Sequence, residues 1–241
     1  MKQKVLCLGI ILILAGPASA AWLEFYNEDF SNEPYFEICG EYTPVEGEYF
    51  RWNEVDEYYE VRIQDTQEFT PKYACSPTFD VATQDSFRVR LDIKVVEHQT
   101  GLPIGVRCVT AEVPEGNGMT MVYEGAHNQQ FDVADWHGIE YGTPTTIQLG
   151  VWYHFDMFYR MGTATVDISI TDRESGVSYL EIAAEPFNPD AFDTIAIGYN
   201  TLILETSGFA QIHVDNIIVD SCVGITPNKS STWGVVKSLY K

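Results

Sequence analysis

Positive charge is scarce in this chain. Fourteen Lys and Arg face 35 Asp and Glu over 241 residues, a formal net charge of −21. Such an excess repels phosphate backbones and anionic membrane surfaces, so nucleic acid is not an expected partner. Long apolar runs are scarce too. The one at Val5–Ala15 falls short of the roughly 20 residues a membrane helix needs. No C-x-x-C pair occurs, which leaves zinc or dithiol chemistry little support. No Gly-x-Ser-x-Gly occurs, so a nucleophile elbow is missing. Helical periodicity is almost absent, and there is no internal repeat or low-complexity run.

The first 20 residues carry export signals. Lys2 and Lys4 precede the apolar run, and Ala18-Ser19-Ala20 supplies a small-x-small cleavage site. This pattern is a secretory signal peptide over residues 1–20. Cys7 lies too early for a lipoprotein cysteine. Loss of the leader takes two lysines with it and moves the formal charge to −23. Four cysteines then remain, Cys39, Cys75, Cys108 and Cys222. Outside the cytoplasm they are free to form disulfides, and three pairings are open. Aromatic residues make up 13% of the chain, too many for a disordered acidic polymer.

Alternation is abundant. Phe87, Val89, Leu91, Ile93 and Val95 interleave with Arg88, Arg90, Asp92 and Lys94. Val166, Ile168 and Ile170 interleave with Thr165, Asp167, Ser169 and Thr171. A period of two with β-branched residues predicts half-buried antiparallel strands. Asp172-Arg173-Glu174-Ser175-Gly176 supplies hairpin-turn chemistry before a third strand. Further strands are predicted over Trp22–Asp29, Tyr49–Asn53, Glu57–Ile63, Pro103–Thr110, Met119–Glu124, Thr145–Leu149, Val151–Arg160, Thr194–Tyr199 and Gln211–Asp220. A short helical turn is expected over Asn188–Phe192, and long loops over Glu112–Thr143. About a dozen strands at this spacing predict one all-β domain over residues 21–222, a two-sheet antiparallel jelly-roll sandwich. Residues 223–241 read as a linker and a short cationic tail. Asn228-Lys229-Ser230 there matches a glycosylation acceptor.

Trp152-Tyr153-His154 opening a strand, followed by a second strand and the Asp172–Gly176 turn, resembles laminin-G-like domains of the concanavalin A-like lectin/glucanase superfamily. Glu28-Asp29-Phe30-Ser31 and His213-Val214-Asp215-Asn216-Ile217 resemble that superfamily's first and last strands. The ending Ser-Thr-Trp-Gly-x-x-Lys-Ser-Leu-Tyr-Lys resembles a C-terminal signal on secreted proteins of uncultured bacterial phyla, which implies sorting or attachment at the cell surface.

The resemblance implies a carbohydrate ligand, and the residues suggest where it would sit. Arg88 and Arg90 share a polar strand face, and Arg107 lies on a neighbouring predicted strand. Guanidinium forks suit sugar hydroxyls and carboxylates, although cross-strand acids such as Asp156 compete for them. Trp136, His137 and Tyr141 offer aromatic faces within the long loops. The resemblance also implies a structural Ca²⁺ where the first and last strands meet, with Glu28, Asp29 and Asp215 as oxygen ligands. His127 and His137 with Asp132 and Asp135 fit no standard zinc spacing.

Catalysis is the competing reading. Glycoside hydrolases of the superfamily carry Glu-x-Asp-x-x-Glu or Glu-x-Asp-x-Glu on one strand. Here Glu54, Asp56 and Glu60 would share a strand face, but the third carboxylate comes too late. On a regular strand Glu54 and Glu60 would stand about 20 Å apart, beyond the roughly 5–9.5 Å of paired glycosidase carboxylates. The expectation is therefore a secreted or cell-surface, non-catalytic carbohydrate-binding module. A polysaccharide-cleaving enzyme or a structural cell-envelope protein are the alternatives.

Overall fold

Alternate burial along the long strands decides the architecture. Phe87, Leu91 and Ile168 are 3%, 0% and 1% exposed, while Ser86, Arg88, Arg90, Asp167 and Ser169 beside them remain partly accessible. A computed structural model describes residues 21–40, 42–65, 72–79, 86–99, 103–111, 118–124, 129–135, 137–199 and 208–223. The expected signal peptide and C-terminal tail lie outside the described residues. Fifteen strands and no helix occur among the described residues.

In chain order the strands are β1 (Ala21–Glu28), β2 (Glu37–Cys39), β3 (Tyr49–Asn53), β4 (Tyr58–Asp65) and β5 (Lys72–Cys75). Then come β6 (Ser86–His98), β7 (Ile104–Val109), β8 (Met119–Glu124), β9 (Gln130–Ala134) and β10 (Glu140–Gly142). Last are β11 (Trp152–Arg160), β12 (Thr165–Asp172), β13 (Ser178–Pro186), β14 (Thr194–Tyr199) and β15 (Gly208–Val223). One sheet runs β13-β12-β11-β6-β15-β4-β3, with β1 also on β15; the other runs β10-β9-β8-β7-β14-β5-β2. Every pairing is antiparallel. The expected two-sheet jelly-roll sandwich is the observed fold.

Between the sheets lies one apolar layer. Val61, Leu91, Phe155 and Ile212 from the first sheet belong to the same buried cluster as Ile104, Met121, Phe131 and Ile197 from the second. Each such side chain contributes roughly 1.5–3 kcal/mol by leaving water. Cys39 and Cys75 join β2 to β5 through a disulfide, and Cys108 is buried and free. Burial raises the Cys108 thiol well above its ordinary range, so it is inert as a nucleophile.

Two expectations are corrected. Thr145–Leu149 is not a strand. Ile147 donates to Gln129 O and Gln148 N to the Tyr153 hydroxyl, so these amides anchor a loop rather than a ladder. Asn188–Phe192 forms no helical turn. Phe187 and Phe192 at its flanks are drawn into the core, and Asn188 N binds the Asp135 carboxylate.

β15 changes neighbours along its length. Gly208–Val214 pairs with β4, whereas Ile217–Val223 pairs with β1. At the changeover a bulge opens against β6: Asp215 faces Asp92 and Ile218 faces Arg90. The extra residue reverses the alternation. Ala210, Ile212 and Val214 point inward before it, and Ile217 and Val219 after it.

Candidate functional site

The bulge builds a site on the outer face of the first sheet. Asn216 sits at its centre with φ 52°, a left-handed conformation that asparagine tolerates better than most residues. Its side-chain amide donates to Asp92 Oδ2 at 2.8 Å and Asp215 Oδ2 at 3.0 Å. Asp92 is only 3% exposed. Its carboxylate also meets His154 Nδ1 at 2.7 Å and Arg173 Nη1 at 3.2 Å. Arg173 reaches Asp215 at 2.9 Å as well. One buried carboxylate thus fixes three side chains from β11, β15 and the β12–β13 turn. Replacing Asn216 by Ala is expected to cost about 1–2 kcal/mol from the left-handed backbone alone. Asn216→Gly should recover the backbone part in urea unfolding.

Above this base lies a polar cleft of about 470 Å³, lined by Asp56, Tyr58, Lys94, Trp152, Arg173, Glu174 and Asp215. Tyr58 stacks on His213 with centroids 4.2 Å apart and meets Trp152 edge-on at 5.8 Å. Lys94 Nζ lies 5.1 Å from the Tyr58 ring centre and 4.6 Å from that of Trp152. Strand axes lie about 4.8 Å apart, yet Tyr58 on β4 and Trp152 on β11 touch across two intervening strands. The side chains reach over β6 and β15 and gather the aromatic rings around His213 and Lys94.

Burial tunes these groups. The Tyr58 hydroxyl is pushed up to about 12 by burial first, then by the charges of Glu60 and Asp56. Burial lowers Lys94, opposed by the same two acids. Burial raises Asp215 against the pull of Arg173. His213 is pushed down to about 4, by burial and then by Lys94, so its imidazole is neutral near pH 7. Burial opposes ionisation of Glu60, but hydrogen bonds from Arg51 and Asn53 prevail and hold it below its ordinary value.

The residues anticipated from sequence are dispersed. Arg88 forks onto Asp156, and Arg90 pairs with Asp220, so cross-strand acids already occupy both guanidinium groups. Arg107 does not neighbour them. It lies 2% exposed on β7, in the other sheet, and donates to the Tyr73 hydroxyl at 2.8 Å. β6 and β7 follow one another in the chain but lie in opposite sheets, and the linear sequence hides that. Trp136 and His127 lie outside the described residues. His137 is exposed, 3.8 Å from Asp190, and its amide donates to Asp135. The Tyr141 hydroxyl donates to Pro186 O at 2.7 Å. The buried Asp135 carboxylate also takes the amides of Ile139 and Asn188, so this loop is organised around an acid.

β1 and β15 do pair, as expected of first and last strands. Around them, however, Glu28 accepts the Phe30 amide, Asp29 the Ser31 amide, and Asp215 the Arg173 guanidinium. Among the described residues no group of three or more His, Cys, Asp or Glu is placed to hold a metal ion. Glu28, Asp29 and Asp215 form no such group. Glu54, Asp56 and Glu60 do not share a strand face either. Residues 54–57 form the β3–β4 turn, closed by Glu57 N to Asn53 O with Glu57 at φ 55°. Only Asp56 of the three lines the cleft.

The sheet order, the pairing of first and last strands and the two-layer core define an antiparallel two-sheet jelly-roll fold, which solved lectins and glucanases share. Winged bean acidic lectin, solved with methyl-alpha-D-galactose, is similar at a TM-score of 0.55 and 10% identity, over 85% of this chain and 100% of the lectin. An endo-1,3-beta-glucanase from Streptomyces sioyaensis gives 0.51 and 14%, over 87% of this chain and 99% of the enzyme. A sialidase gives 0.53 and 10%, over 81% of this chain but only 18% of its own. No family profile matches the chain, and no curated protein does.

Proposed function

We propose that this protein is a secreted or cell-surface, non-catalytic module that binds a neutral glycan in the Trp152 cleft. The observation that carries the reading is the pairing of aromatic rings with fixed polar groups on one sheet face. Trp152 and Tyr58 supply ring surface, while Lys94, Arg173, Asp56 and Glu174 supply donors and acceptors for hydroxyls. The base beneath, Asp92 with Asn216 and His154, is already satisfied by hydrogen bonds, which keeps the cleft pre-organised. Similarity to a lectin and a glucanase supports the ligand class through the fold alone.

Charge selects within that class. Three carboxylates line the cleft against two cations, on a chain of net charge −21. Polyuronates and sulfated glycans meet repulsion there, and uncharged sugars do not. The non-catalytic part of the reading rests on the acids. Glu60 is held ionised by Arg51, and Asp215 is bound by Arg173 and Asn216.

The test is a glycan array followed by calorimetry. Neutral glycans should bind without release of reducing ends. Trp152→Ala should weaken binding about thirtyfold, the effect of truncating a central interface tryptophan at roughly 2 kcal/mol. Reducing-sugar release that Asp215→Asn abolishes would establish an enzyme instead. Absence of both signals would leave a structural envelope role.

A further inference from the structure

A second hollow opens on the same sheet face, and nothing in the proposed site uses it. It holds about 330 Å³ and is lined chiefly by Trp22, Arg88, Asp156, Phe158, Ser169 and Glu181. Its chemistry repeats that of the first. Trp22, 44% exposed, meets Phe158 edge-on with ring centroids 5.3 Å apart. Here too the two rings come from strands separated by two others, since β15 and β6 lie between β1 and β11. A guanidinium, carboxylates and a hydroxyl surround the aromatic pair.

Strand β11 sets the distance between the hollows. Trp152 and Phe158 stand on its outer face six residues apart, about 20 Å along a regular strand. A single sugar ring cannot reach from one to the other. The floor between them is built of paired groups. His154 is bound to Asp92, Arg90 to Asp220 and Arg88 to Asp156. Such a tract presents polar groups already held in place, which suits the repeating hydroxyls of a neutral chain.

We infer that the two hollows are subsites of one extended site, and that the ligand is a neutral oligosaccharide or polysaccharide lying along β11 from Trp152 to Trp22. This rests on the reading of the Trp152 cleft given above and deepens it from a sugar to a chain. Linked contacts raise affinity without any new type of contact, because the second engagement is intramolecular. A monosaccharide occupies one hollow only. A chain long enough for both gains from each.

The experiment uses the full chain and immobilised ladders of neutral glucan, xylan, mannan and galactan, from monosaccharide to octasaccharide. Trp22→Ala and Glu181→Gln are compared with wild type, and their melting curves confirm folding, both side chains being exposed. For wild type, affinity should rise with length, by about tenfold or more once both hollows are spanned. Both variants should lose that gain and keep the affinity for short members. The inference falls if length makes no difference, or if both variants retain the full gain while Trp152→Ala abolishes binding. In that case the first cleft stands alone. If no ladder binds at any length, the reading of the Trp152 cleft falls and this inference falls with it.

Discussion

Glu48→Gln is expected to destabilise the protein by about 3–5 kcal/mol, the cost of leaving one member of a buried ion pair without its partner. The Glu48 and Lys72 side chains are 0% and 3% exposed, with Lys72 Nζ 2.6 Å from Glu48 Oε1. Glu48 also accepts from the Tyr42 hydroxyl, from Val45 N at 2.9 Å and from Gln64 N at 2.9 Å. Lys72 donates in addition to Gln64 O at 2.8 Å. Gln64 belongs to β4 in one sheet and Lys72 to β5 in the other, so the pair fastens the two layers at one side of the sandwich. Glutamine keeps the shape and most acceptor contacts but removes the carboxylate charge that Lys72 Nζ faces at 2.6 Å. Combining it with Lys72→Met should recover part of the loss, because the buried ammonium is then removed as well. Urea unfolding of the two single variants and the double variant measures this. A shift within about 0.5 kcal/mol for Glu48→Gln, the size of an ordinary surface change, would show that the pair is not buried in solution.

That ion pair was invisible in the sequence, and the reason is general here. Period-two alternation reports which side of a strand meets the core, and it revealed β11 and β12 to within a residue and the central part of β6. Lys72-Tyr73-Ala74-Cys75 is buried at every position, so β5 has no alternation to detect. β9 is buried at three consecutive positions, and β2 and β10 are three residues each. Strand content was therefore legible in the longer strands, including β7, which is buried at every position, and lost in short ones such as β2, β5 and β10. Assignment of strands to sheets was not legible at all. Arg107 shows the consequence. Its strand is the next after β6 in the chain, yet it belongs to the opposite layer.

The site was legible only in fragments. Lys94 and Asp92 stood in the marked alternating strand, and Trp152 opened the motif that pointed to the superfamily, but none was selected as a binding residue. What joins these groups is the β15 bulge, and a single inserted residue leaves no periodic trace over so short a span. A clue did exist. Asp215-Asn216 interrupts an otherwise alternating strand, and asparagine is, among residues other than glycine, one of the most tolerant of the left-handed conformation that Asn216 adopts in this bulge. For the arginine face, the competing reading from the sequence is the one observed. The same strand pairing that exposes Arg88 and Arg90 also brings Asp156 and Asp220 beside them, and these acids in register engage both guanidinium groups.

Acidification should weaken the fold through one histidine beneath the cleft. His213 is 6% exposed and packs against Tyr58, with Trp152 beside it. Its Nε2 lies 3.1 Å from Gln211 Nε2 and 3.9 Å from Glu60, and its Nδ1 is buried without a hydrogen-bond partner. Protonation would place a charge there beside Lys94. The folded value is about 4, against 6.5 ordinarily. Because the folded value is the lower one, the unfolded chain binds the extra proton first. Stability from this group is therefore complete above about pH 6.5, declines as pH falls, and is lost once pH passes about 4. A gap of that size corresponds to roughly 3 kcal/mol. His213→Phe keeps a ring against Tyr58 and cannot titrate. The difference in unfolding free energy between wild type and this variant isolates His213 from the carboxylates, which titrate in both. That difference should shift against the wild type by about 3 kcal/mol between pH 7 and pH 4. A difference independent of pH would mean that the imidazole is solvated in the native state, and the packed aromatic base of the cleft would have to be redrawn.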